Sequence, residues 1–145
     1  MYLVDTNVIS AGAPARPVTL ALVEWMGANS ASLFLSVVTV AEIEDGIAKL
    51  RRVGARRKSS DLASWLETVL HLYGERILAF DGPAARIAGA IADRAREQGH
   101  APGFADIIIA ATAQRHGLTI LSRNIRHFEP LGVAVVDPFA ALPPA

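Results

Sequence analysis

Residues Tyr2 to Ile9 read YLVDTNVI, an apolar run that meets one carboxylate and two hydrogen-bonding side chains. Consecutive apolar positions, with β-branched Val4 among them, suit a strand covered on both faces, and Asp5, Thr6 and Asn7 bring turn and helix-start chemistry directly after it. In a parallel sheet this is the carboxyl end of a strand, the edge outside which open α/β folds bind ligands. An aspartate there is equally well a helix N-cap. Asp5 alone does not choose between structure and chemistry, so the rest of the chain must.

Working outward, further short apolar runs at Leu33–Leu35, Ile77–Phe80, Leu118–Leu121 and Val133–Val136 read as strands, the first three each reached through a helical pattern. Val8 to Ala13 forms a short helix or turn that Pro14 and Pro17 end. From Pro17, Val18, Leu20, Ala21, Leu22, Trp25 and Met26 recur at helical spacing. Ser36 to Leu50 is the next helix, with Thr39 and Glu42 at capping-box spacing. Leu62 to Leu72 continues to a stop at Gly74, and Ala84 to Gln98 stops at Gly99. Phe104 to His116, FADIIIAATAQRH, is apolar nearly all round, which predicts a helix sandwiched in the interior with Asp106 as its lone charge near the N-terminus. Five strands interleaved with helices, and no hairpin signal between them, predict one domain over residues 1–145: a three-layer α/β/α sandwich around a mainly parallel five-stranded sheet. Right-handed crossovers leave few topologies for it.

Composition narrows the chemistry. The 145 residues carry 14 basic and 14 acidic side chains and no cysteine, so overall charge names no partner, and disulfides, thiolate nucleophiles and zinc–thiolate sites are all excluded. At 52% apolar residues the chain holds ample core formers, yet no uninterrupted apolar run approaches the length that spans a bilayer. The N-terminus lacks the basic start of a signal peptide. A soluble cytoplasmic protein with no membrane partner is the expectation. The stretch Lys49 to Asp61 is the one strongly basic segment, with six positive charges against one negative and Gly54 as a break between helices. Such a run is most simply a solvated hairpin tip, with a substrate-facing role as the rival reading.

Asp5, Glu42 and Asp106 share a placement, each at a strand end or in the early turns of a helix beside apolar sequence. Singly, Asp106 is explained by the helix macrodipole and Glu42 by a capping box with Thr39. Together they suggest more, because parallel connectivity gathers strand ends and the following helix starts along one sheet edge. Two unit charges about 4 Å apart repel by roughly 4 kcal/mol at an effective dielectric near 20, so such a cluster calls for a cation. Hard oxygen donors without cysteine or a histidine pair favour Mg²⁺ or Mn²⁺ over zinc. None of His71, His100, His116 and His127 forms a pair at i and i+4; they read as surface or packing residues, His127 being the exception to watch because it lies near Asn124.

The motifs YLVDTNVIS, LSVVTVAEIEDGI, FADIIIAATAQRHGLTILSRN and HFEPLGVAVVDP, in this order and nearly end to end, make the chain resemble the PIN-domain ribonucleases, particularly VapC-type toxins of bacterial toxin–antitoxin pairs. The resemblance implies that Asp5, Glu42 and Asp106 bind the metal, with Thr6 and Asn7 bracing the first acid and the Thr6 hydroxyl bonded to its carboxylate or backbone. It implies metal-assisted hydrolysis of RNA, a cognate antitoxin that reaches the acids with an Arg or Lys, and a homodimer or a hetero-oligomer with the antitoxin. Asn124 stands where many relatives have aspartate, and His127 where many have an acid. An amide oxygen accepts a hydrogen bond from a metal-bound water but brings no charge, so the expectation is a one-metal centre in the free protein. Arg123 and the basic stretch are candidates for holding flanking phosphates. A haloacid-dehalogenase-type phosphatase needs a second acid where Asn7 stands, and a receiver domain needs paired acids near the first strand. The remaining alternative is a catalytically silent PIN-like module that binds RNA or a protein.

Overall fold

Strand β1 (Tyr2–Val4) occupies the middle of a five-stranded parallel sheet whose order is β3-β2-β1-β4-β5, with β2 at Leu33–Ser36, β3 at Ile77–Leu78, β4 at Thr119–Leu121 and β5 at Val135–Val136. The computed structural model describes every residue except Ala15 and Val18. Seven α-helices are found among the described residues: α1 (Thr6–Ile9), α2 (Leu20–Ala28), α3 (Val37–Arg52), α4 (Arg56–Tyr73), α5 (Gly82–Glu97), α6 (Phe104–His116) and α7 (Ile125–Phe128).

The twofold alternation of a strand sets the layers. In β1, Leu3 joins a core formed with α5, α6, Ile120 and Phe128, whereas Val4 joins a second core with Leu22, Leu33, Leu35, Ile43, Leu66 and Leu121. One helical layer therefore covers each face, giving the expected three-layer sandwich. Helix α6 is buried from Ile107 through Ala113, as its unbroken apolar sequence requires. It ends where Gly117 takes a left-handed φ of 64°, a conformation that suits glycine at this cap.

The differences from expectation are local and have physical causes. The outer strands β3 and β5 are shorter than their apolar runs because each pairs on one side only. Helix α2 starts at Leu20 rather than Pro17, and Val18 lies outside the described residues. Helix α4 begins at Arg56, directly after the Gly54 break, and continues through Leu62–Leu72 to the stop at Gly74, as the sequence predicts. The break at Gly54 holds: its φ of 79° separates α3 from α4, and the basic residues there are mostly exposed. Arg76 ties helix to sheet by donating to the carbonyls of Ser30, Leu33 and Leu72 while its guanidinium lies over the Tyr73 ring.

This strand order positions the site. The chain steps from β1 outward through β2 to β3, then returns across the sheet to add β4 and β5 on the other side. Neighbouring strands β1 and β4 are thus followed by connections that leave in opposite directions, opening a crevice at their carboxyl ends. The ladder continues into it, with the Asp5 N–H donating to Leu121 O at 2.9 Å and the Ser122 N–H to Val136 O at 3.0 Å.

Candidate active site

The crevice is a cleft of about 520 Å³ lined by Asp5, Thr6, Asn7, Glu42, Asp106, Arg123, Asn124 and Phe139, among others. All four residues singled out in the sequence, Asp5, Glu42, Asp106 and Asn124, face this one cavity, although they come from four different segments. Asp5 lies at the end of β1, Glu42 in α3, Asp106 in the first turn of α6, and Asn124 just before α7.

Asp5 is buried, and both its oxygens accept hydrogen bonds. Its Oδ1 accepts from the Thr6 N–H at 2.8 Å, so it does cap α1, and its Oδ2 accepts from Asn7 Nδ2 at 3.0 Å and Ser122 Oγ at 2.7 Å. Capping and cleft placement prove compatible, because the cap takes one lone pair of Oδ1 and leaves the other. Asn7 spends its amide completely: Nδ2 also donates to Ser122 Oγ, and Oδ1 accepts from the Arg123 N–H at 3.1 Å. Ser122, with no exposed surface, additionally accepts from the Asn124 N–H at 2.9 Å. The ends of β1 and β4 are thereby locked together around one carboxylate. In the sequence Ser122 is marked only as the first of three polar residues, Ser122-Arg123-Asn124, that follow an apolar strand; its role as the centre of this network carries no sequence period.

Two expected local roles are corrected. Thr39 and Glu42 form no capping box, since the N-cap of α3 is Ser36, whose Oγ accepts from the Val38 N–H at 3.1 Å. Thr39 is instead wholly buried, its hydroxyl 3.2 Å from that of Thr6. The Thr6 hydroxyl braces Glu42 rather than Asp5, donating to Glu42 Oε1 at 2.7 Å. The helix begins directly after Ser36, at the start expected from the sequence, so Thr39 lies in its first turn and is not its N-cap. His127 proves not to be a mere surface residue: its Nδ1 lies 3.2 Å from Asp106 Oδ2. Of the basic stretch, Lys58 reaches a neighbouring groove that shares Thr6, Ser10, Arg16 and Glu42 with the acid cleft.

The electrostatics follow from this packing. Burial pushes the Asp5 carboxyl above its ordinary value, opposed by the Ser122 and Thr6 hydrogen bonds, while the Asp106 charge raises it further and His127 lowers it. Glu42 is also pushed up, first by desolvation against the cleft wall and then by the charges of Asp5 and Asp106, with the Thr6 hydroxyl acting against both. The acids share the cleft without touching: among the described residues no three carboxylate or imidazole groups stand close enough to make a ready cage for an ion. The donor set still fits a hard divalent cation that keeps much of its water, because mutual repulsion disfavours the bare cluster and the ion's own water would span the gaps to Asp5, Glu42 and Asp106.

A pH-linked stability effect follows. With folded-state values above the unfolded ones, Asp5 and Glu42 hold more protons in the native state across the interval between them. Their contribution to stability therefore rises as pH falls through the raised values and is lost as pH climbs above them. Mn²⁺ should act in the opposite sense. At about a hundred times its dissociation constant it adds roughly 2.7 kcal/mol at neutral pH, and the gain fades as these carboxyls protonate. Thermal melts with Mn²⁺ or EDTA over a pH series read both trends; a metal effect that does not weaken on acidification contradicts this assignment.

Comparison with known proteins agrees with the geometry. The family model of the PIN domain matches residues 2–131. Toxin FitB of Neisseria gonorrhoeae is 37% identical over 141 residues, covering 96% of this chain and 99% of that protein. VapC ribonuclease Y4jK of Sinorhizobium fredii is 35% identical over 141 residues, covering 96% and 98%. The crystal structure of FitAcB from Neisseria gonorrhoeae superposes with a TM-score of 0.84 at 39% identity, covering 96% of this chain and 99% of that one. A parallel sheet with an acid-lined crevice at its switch point, matched by the family model over nearly the whole chain, establishes that the protein belongs to the PIN domain family.

Proposed function

We propose that this protein is a Mg²⁺- or Mn²⁺-dependent endoribonuclease that acts in the cytoplasm as the toxin of a toxin–antitoxin pair. The observation that carries the reading is the gathering of Asp5, Glu42 and Asp106 into one cleft at the switch point of a PIN fold. The names of the relatives support it: one is called a ribonuclease, another a toxin. No helix among the described residues is long and apolar enough to cross a membrane.

Asp5 and Asp106 are the principal metal ligands in this reading. A bound divalent ion supplies Lewis-acid polarisation of a phosphoryl oxygen and eases deprotonation of water. Hydrolysis adds that water across a P–O bond, so one proton must leave the nucleophile and one must reach the departing oxygen. Glu42 is suited to the first task. Its Oε1 is held by Thr6, no protein donor among the described residues engages Oε2, and its raised affinity for protons makes it a better base. Asn124 takes part through its amide, which holds water without adding charge and is consistent with one resident ion. Ser122 and Asn7 keep Asp5 aimed while water is excluded from its buried side.

The test incubates purified protein with cellular RNA in Mg²⁺, Mn²⁺ or EDTA and maps the new 5′ ends. Cleavage at discrete positions that EDTA abolishes is the expected result. Intact RNA under all three conditions overturns the nuclease reading.

A further inference from the structure

We propose that Arg123, laid on the ring of Phe139, receives a backbone phosphate of the RNA next to the reacting one, and that Phe139 is the positioning residue for it. The inference deepens the ribonuclease reading and rests on it. The Arg123 guanidinium carbon lies 3.7 Å from the Phe139 ring centroid, and both residues line the acid cleft. Each is fixed from its backbone as well. The Arg123 N–H donates to Asn7 Oδ1, and the Phe139 N–H donates to Asp137 Oδ1 at 2.9 Å in the turn after β5, with the ring packed against the core beneath.

What singles out this pair is what the arginine does not do. Three carboxylates share its cleft, yet among the described residues its side chain makes no ion pair or hydrogen bond; the close contacts found between basic side chains and carboxylates are Arg115–Asp81 and His127–Asp106. Stacking occupies one face of the guanidinium and leaves its N–H edge, the part that binds phosphate oxygens in fork geometry. Arg76 on Tyr73 is the internal contrast. It also lies over a ring but spends its N–H groups on three backbone carbonyls, as a structural arginine does. An acid-lined cleft repels a polyanion, so a cation held at its wall and kept off the acids has a use that Arg76 lacks. A ring in the last turns of the chain thereby becomes part of the substrate wall.

The test is steady-state cleavage of a single-stranded RNA oligonucleotide with Mg²⁺ across a NaCl series. Arg123→Ala is expected to raise KM about tenfold, with kcat moving far less, and to flatten the slope of log(kcat/KM) against log salt by about 0.7, the amount for one phosphate contact. Phe139→Ala should raise KM about two- to fivefold. Phe139→Leu, which keeps apolar bulk and guards against a folding defect, should match Phe139→Ala, and Phe139→Tyr should restore wild-type behaviour. The double variant Arg123→Ala/Phe139→Ala should be no worse than Arg123→Ala alone. Wild-type KM and slope in Phe139→Leu, or additive losses in the double variant, overturn the inference while leaving the nuclease reading intact. No cleavage by the wild-type protein overturns that reading, and this inference with it.

Discussion

Asp106→Asn is expected to lower kcat/KM for RNA cleavage by about a hundredfold or more, the scale on which a directly acting metal or transition-state contact is lost. The exchange is nearly isosteric, and a charged side chain at this helix position contributes only about 0.3 to 1 kcal/mol through the macrodipole, so the fold should survive. Its consequences in the cleft are larger. The Asp106 carboxylate is one of the charges that raise both Asp5 and Glu42, and its removal lets both relax toward ordinary values. The variant should therefore show a weaker Mn²⁺-induced rise in melting temperature and a pH dependence of stability shifted to lower pH. Activity and melting curves measured on the same preparation separate chemistry from folding. Full metal-dependent cleavage by Asp106→Asn would place the reacting centre away from this carboxylate.

Asp106 was legible in the sequence for the reason that makes it consequential: a lone charge at the head of a helix that is otherwise apolar all round. Asp5 was legible from the abrupt end of an apolar strand. Unbroken apolar runs disclosed the strands and the buried α6, because burial on two faces leaves an unbroken apolar record, and helical spacing disclosed most of the other helices. What stayed hidden is non-local. The Asn7 to Arg123 bond joins positions on β1 and β4 connections, and no spacing within either segment encodes it. Phe139 sits in a tail that reads as irregular, and only the placement of β5 beside β4 brings its ring beneath Arg123. Glu42 was found for its charge but given the wrong partner, since the hydroxyl that holds it comes from α1 rather than from its own helix.

The same reasoning identifies Ser122 as the residue whose loss should hurt the fold most for the smallest change. Ser122→Ala removes one oxygen from a site with no solvent exposure. That oxygen donates to Asp5 Oδ2 and accepts from Asn7 Nδ2 and the Asn124 N–H, so three groups lose a partner where water cannot easily replace it. A hydrogen bond to a buried charge is worth about 1.5 to 3 kcal/mol, and a total loss of roughly 2 to 3 kcal/mol is expected in urea denaturation at neutral pH. The deficit should depend on pH. Without the Ser122 donor, which acts to lower Asp5, the carboxyl rises further, so the penalty is present above its folded-state value and shrinks as acid neutralises the group. RNA cleavage should fall by about tenfold or more, because Asp5 and Asn124 both lose the contact that aims them. A deficit equal at neutral and mildly acidic pH would mean that Ser122 acts through packing alone, and the carboxylate at the end of β1 would then owe its orientation to Thr6 and Asn7.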